Sequence, residues 1–172
     1  MEPLVDTVIE DARWAGVDLA ALADRAGAAV MAALGLPVGG FALCVMGCDD
    51  ARIAELNGAF RSLGKATNVL SFPAWDRAAD APGTVPDLPE AGHAGDPEEL
   101  GDIAISYDTC AREATDQGKA LPDHVTHLVV HGILHLLGYD HIEDADAALM
   151  EGLEARILAS LGVDDPYYVA EV

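Results

Sequence analysis

The stretch Pro122–Leu137 (PDHVTHLVVHGILHLL) is apolar on nearly every face, yet it carries four histidines. Pro122 suits the first turn of a helix and Gly138 ends it, so the spacing predicts a long helix here. A helix with Val125, Leu128, Val129, Val130 and Ile133 spread around its axis has no solvent face. It must lie in a core with other elements packed about it. The rest of the chain supplies them. Short apolar or β-branched runs at Leu4–Glu10, Phe41–Gly47, Asn68–Phe72 and Gly101–Ser106 predict four strands. Helical periods fill Leu19–Leu34, a segment from an Asp49 N-cap to about Arg61, Asp108–Gly118 and Glu143–Leu161. The expected fold class is α/β: one compact domain over residues 1–172, a small mixed sheet of about four strands on helices, and the histidine-bearing helix in its core. Strand order is not legible from these patterns.

Several classes drop out. The 23 uncharged residues of Ala26–Cys48 could span a bilayer, but Gly35-Leu36-Pro37-Val38-Gly39-Gly40 breaks them into a helix, a turn and a strand. No membrane partner is expected. Cys44, Cys48 and Cys110 form an odd set without CxxC, which fits a reducing cytoplasm, with Cys44 and Cys48 expected as small buried residues of a strand. Met1–Glu10, with two acids by position 6, predicts no signal peptide. A net charge of −21 argues against a duplex-DNA binder, which needs basic surface to displace counterions. From Trp75 to Leu100 the apolar period vanishes, and Asp76–Asp102 holds eight acids against one arginine. This predicts a long acidic surface loop, serving as a lid or a docking surface.

The chemistry concentrates in His131–His141, HGILHLLGYDH. His131 and His135 are four apart, so a helix projects both from one face and they can share a metal. Gly138 lets the chain turn back and bring His141 as a third ligand. Three imidazoles with one open position suit zinc, and Zn2+ is the expected cofactor, one per chain. The spacing is that of metzincin proteases, HExxHxxGxxH, with Gly132 where their general-base Glu stands. Peptide hydrolysis would therefore lack its proton acceptor. His124 and His127 lie on the same side of the helix, as neighbours orienting the ligands or as buried histidines bonded to backbone. Asp140 is placed either to orient a ligand or, like Asp144, to cap the last helix.

A second cluster is Arg61, Lys65, Thr67 and Asn68. Residues 52–72 carry +2 in an otherwise acidic chain. An arginine here could clamp a phosphate with two parallel hydrogen bonds.

HGILHLLGYDH, TNVLSFP (Thr67–Pro73), LGDIAIS (Leu100–Ser106) and DPY (Asp165–Tyr167) stand in the order and spacing of the YbeY family. The chain resembles these bacterial endoribonucleases from its first strand to Tyr167. The resemblance implies a zinc-dependent, single-strand-specific endoribonuclease acting in 3′-end maturation of small-subunit (16S) rRNA, ribosome assembly and ribosome quality control. It implies His131, His135 and His141 as metal ligands and Arg61 as the catalytic or RNA-binding arginine. Two features depart from the family. Leu63 stands where a lysine is usual, and the acidic loop is longer than in many relatives. The charge repels RNA, so ribosomal and assembly proteins are expected to recruit the enzyme. Two other readings remain open: a non-catalytic assembly factor with a structural metal, and another metal-dependent hydrolase.

Overall fold

The computed structural model describes residues 3–61, 65–79, 81–93 and 95–167. Strand β1 (Val5–Ile9) leads through a 3-10 turn to helix α1 (Leu19–Leu34) and strand β2 (Phe41–Cys48). Helix α2 (Asp50–Arg61), strand β3 (Val69–Pro73), strand β4 (Glu98–Ser106) and helices α3 (Tyr107–Gln117), α4 (Leu121–Leu136) and α5 (Asp144–Ser160) follow. The sheet order is β1-β2-β4-β3. β1, β2 and β4 run parallel, and β3 pairs antiparallel with β4 at the edge. The predicted α/β class and four-stranded mixed sheet are present. Among the described residues no helix is long and apolar enough to cross a membrane.

α4 is the centre of the packing. Val125, Val129, Val130, Ile133 and Leu134 are fully buried. The sheet lies on one side of α4 and α1, α3 and α5 surround the rest. The main core joins α4 to Phe41, Leu43 and Val45 of β2 and Ile103 and Ile105 of β4. The other face of the sheet is covered by α2, where Ile53 packs on Leu70 and Ala104. The N-cap read at Asp49 is present: its Oδ1 accepts the Arg52 N–H at 2.9 Å.

Two sequence readings are corrected. β4 starts at Glu98, so the loop ends three residues earlier than Leu100. Ala42 pairs with Glu99 and Leu43 with Gly101. Leu100 is thus an extra residue in a bulge, and it is fully buried. Neither Asp140 nor Asp144 caps α5. Its N-cap is Glu143, with no side-chain cap bond, while Asp140 Oδ1 accepts the neighbouring His141 N–H. The sequence also gave no reading for Ala12–Val17, which forms the 3-10 turn. It buries Trp14, whose indole N–H donates to the Cys48 carbonyl at 2.9 Å.

Asp50 ties α2 to the end of β4 and to α3. Its carboxylate accepts the Ser106 and Thr109 hydroxyls, both at 2.6 Å, and the Arg112 guanidinium at 3.1 Å. Partial burial pushes this carboxyl up, but those three donors outweigh it and hold it below the ordinary 3.8. A carboxyl lowered on folding adds stability above its unfolded value, and that stability is lost as pH falls through its folded value. Asp50→Asn is therefore expected to lower the melting temperature at neutral pH, with the gap to wild type closing below about pH 4. Thermal melts of both proteins across pH 2–7, roughly the carboxyl range, check this. A gap that stays constant with pH rejects it.

Candidate metal centre

α4 presents His131 and His135 one helical turn apart on the side facing β3. The helix then ends at Gly138, whose φ of +103° lets the chain reverse. Tyr139 N–H donates back to Leu134 O at 3.0 Å, and Tyr139 itself is buried. The reversal brings His141 beside the other two. Ring centroids are 4.6 Å apart for His131–His135, 5.1 Å for His131–His141 and 5.0 Å for His135–His141. One ring nitrogen from each lies within 4.8 Å of the others. The Nε2 atoms of His131 and His135 are 3.1 Å apart. Two nitrogens sharing a tetrahedral zinc would stand about 3.3 Å apart, so the spacing fits a common ion. Burial, and then the neighbouring His131 and His141, pull His135 down to about 4. It is neutral at physiological pH, as a metal ligand must be.

Gly132 is turned away from this group. A Cβ there would meet Ile103 Cδ1 at 3.0 Å on β4. Position 132 therefore packs the helix closely on the sheet, and a side chain there would have to displace Ile103. Among the described residues, no fourth ligand joins the three histidines. Cys48 and Cys110 are buried elsewhere, with burial pushing the Cys48 thiol up to about 12.

Neither His124 nor His127 bonds to backbone through its Nε2. His124 Nε2–H donates to Glu113 at 2.9 Å, and Glu113 also receives Asn68 Nδ2–H. His127 Nε2 stands 3.3 Å from Glu154 and 3.3 Å from the Tyr167 hydroxyl. Glu154 also accepts His131 Nδ1–H and the Tyr167 hydroxyl. Burial pushes Glu154 up, but the bonds from His127, His131 and Tyr167 prevail and hold it at about 2. Sequence reading passed over Glu154. The signal was present: it lies four residues after Met150 and three before Ile157, on the buried face of α5.

The histidines line a cleft of about 590 Å³. β3 and the turn after it, through Trp75 and Arg77, form the facing wall. Trp75 is 65% exposed and Ile142, on the opposite lip, is 80% exposed. Arg77, the lone arginine of the acidic loop, also reaches the cleft, with its guanidinium on Glu98 at 2.9 Å. The loop's first residues are thus a wall of the site. Of the basic segment, Asn68 lines the cleft, and Lys65 is exposed with its carbonyl on Asn57. Arg61 ends α2. Its side chain, and Leu63, lie outside the described residues.

Comparison with known proteins finds relatives across nearly the whole chain. A family model for endoribonuclease YbeY matches residues 11–162. A Cereibacter sphaeroides protein named endoribonuclease YbeY is 66% identical over 97% of this chain and 100% of its own length. One of the same name from Dinoroseobacter shibae is 57% identical over 95% and 90%. The solution structure of a Thermotoga maritima protein shares the fold, with a TM-score of 0.59 at 20% identity, covering 96% of this chain and 99% of that one.

Proposed function

Since the chain belongs to the YbeY endoribonuclease family, we propose that it is a zinc-dependent endoribonuclease that cuts single-stranded RNA, with His131, His135 and His141 as the metal ligands. The convergence of three imidazole nitrogens on the wall of an open cleft carries this reading. When bound, zinc supplies Lewis acidity toward a phosphodiester. Three protein ligands leave a coordination position free, whereas structural zinc sites close with four. That favours catalysis over a structural metal in an assembly factor. The packing of position 132 on Ile103 disfavours a peptidase.

The chain's own residues do the rest. His131, His135 and His141 hold the ion at one end of the cleft. Arg61, at the end of α2, is assigned to the phosphate, where a guanidinium stabilises developing charge. Trp75 offers an exposed aromatic face for an unpaired base, which suits single strands and not duplexes. In the cell the proposed substrate is 16S rRNA, cut during 3′-end maturation, ribosome assembly and ribosome quality control in the cytoplasm. The whole chain, residues 1–172, acts as one domain in this reading. Its charge of −21 repels free RNA, so basic ribosomal and assembly proteins would deliver it to its substrate. Tight binding of free single-stranded RNA at physiological salt would reject that recruitment.

The deciding experiment is cleavage of an end-labelled single-stranded RNA before and after chelation, with metal content measured. Stripping is expected to abolish cleavage and zinc to restore it. Cleavage that survives complete stripping rejects the proposal. Trp75→Ala is expected to raise KM for single-stranded RNA about tenfold, the loss of one stacked base, with metal content unchanged. Steady-state kinetics on a short oligonucleotide checks this, and an unchanged KM rejects the stacking role.

A further inference from the structure

Glu154 has no exposure to solvent, although its neighbours on α5 (Met150, Leu153, Ile157 and Leu158) are apolar core residues. Burying a carboxylate is unfavourable unless its lone pairs are met, and here each oxygen is met. Oε1 accepts His131 Nδ1–H. Oε2 accepts the Tyr167 hydroxyl and faces His127 Nε2 at 3.3 Å. These donors come from α4 and from the segment after α5.

The contact with His131 governs the opposite side of that ring. A carboxylate only accepts, so the proton sits on Nδ1. Nε2 then keeps its lone pair, and it is the atom 3.1 Å from His135 Nε2. The same bond fixes the rotation of the ring. A carboxylate behind a ligating histidine also raises the basicity of the ligand nitrogen.

Tyr167 is held in turn. In Asp165-Pro166-Tyr167, Asp165 Oδ1 accepts the Tyr167 N–H at 2.8 Å. The Tyr167 ring stands edge-on to His127, with centroids 5.6 Å apart and planes at 89°. The DPY motif is thus a turn that aims one hydroxyl at Glu154.

We propose that Glu154 is a positioning residue for His131, and that the Asp165–Tyr167 turn fixes Glu154 in that role. The proposal rests on the reading of His131, His135 and His141 as metal ligands. Its rival is that Glu154 only satisfies buried histidines and stabilises the fold. The two differ in what they predict for the metal.

The test measures zinc affinity, by competition with a chromophoric chelator, and the visible absorption of the Co2+-loaded protein. Wild type, His135→Ala, Glu154→Gln and Tyr167→Phe are compared, with the melting temperature of each zinc-free protein. Glu154→Gln is expected to weaken zinc binding about 10- to 100-fold and to shift the Co2+ bands. Tyr167→Phe removes only a hydroxyl. It is expected to weaken zinc about three- to tenfold, with the zinc-free protein still folded though melting a few degrees lower. A folded Glu154→Gln protein with wild-type affinity and spectrum overturns the proposal. Should that variant fail to fold, Tyr167→Phe decides: wild-type affinity and spectrum there overturn it too. A wild type that binds neither ion, or a His135→Ala protein that binds equally well, overturns the metal reading and this proposal together.

Discussion

Replacing His135 with alanine is expected to remove the metal and to lower RNA cleavage by at least about a thousandfold. His135 is the middle member of the triangle, with ring centroids 4.6 Å from His131 and 5.0 Å from His141. Without it two ligands remain, and His141 is held only through the turn after α4. The fold is expected to survive, because His135 opens on the cleft and the core contacts of α4 come from its valines and leucines. Metal content and cleavage, measured on wild type and variant purified side by side, check this. Equal cleavage at equal purity would mean that the reaction does not use this site. Loss of cleavage with full metal content would place His135 in a different role.

Gly138→Ala is expected to lower stability by about 3 kcal/mol, or the melting temperature by roughly 6–12 °C for a chain of this size. Its φ of +103° is outside the range an alanine adopts readily. An added Cβ would also lie 2.2 Å from the Arg77 carbonyl oxygen and 2.6 Å from its carbon. Both are backbone atoms, so no side chain can swing aside. Relief requires the loop to lift off the end of α4 or the turn to His141 to shift. Zinc affinity should therefore fall with stability. Gly152→Ala is the control. Gly152 lies inside α5 with nothing within 4 Å of the added carbon, and the change should add up to about 1 kcal/mol of stability. A Gly138→Ala protein as stable as wild type would show that the loop yields freely there.

What could be read in advance followed from how local each signal is. Two histidines four apart and a glycine are local, and the cluster they announce is formed. α4 was legible because proline, an apolar run and glycine mark it within one stretch. β4 was misjudged at its start for a local reason as well. The bulge at Leu100 interrupts the alternation, and Glu98 and Glu99 hide pairing strand in an acidic stretch. The strand order joins segments far apart in sequence, with no local trace. Glu154 was missed because its meaning depends on α5 packing against α4, which places it behind His131. Trp75 and Arg77 read as loop residues. Only the antiparallel return of β3 beside the histidines turns them into a wall of the cleft.

The segment from Pro73 to Glu98 joins two strands that are direct neighbours in the sheet. Closing such a connection depends on the logarithm of its length, so halving it twice would recover only about 1.2 kcal/mol. Its attachments are unevenly spread. Near its start the Arg77 backbone abuts Gly138, Gly83 N–H donates to Asp146 at 2.7 Å, and Pro86 is buried against the same glycine. Near its end Gly92 N–H donates to Gly40 O at 2.8 Å. Between Pro86 and Gly92 the residues are exposed or half-exposed. That short span is where the chain can accept an insertion or a peptide tag, leaving the histidines and the sheet in place.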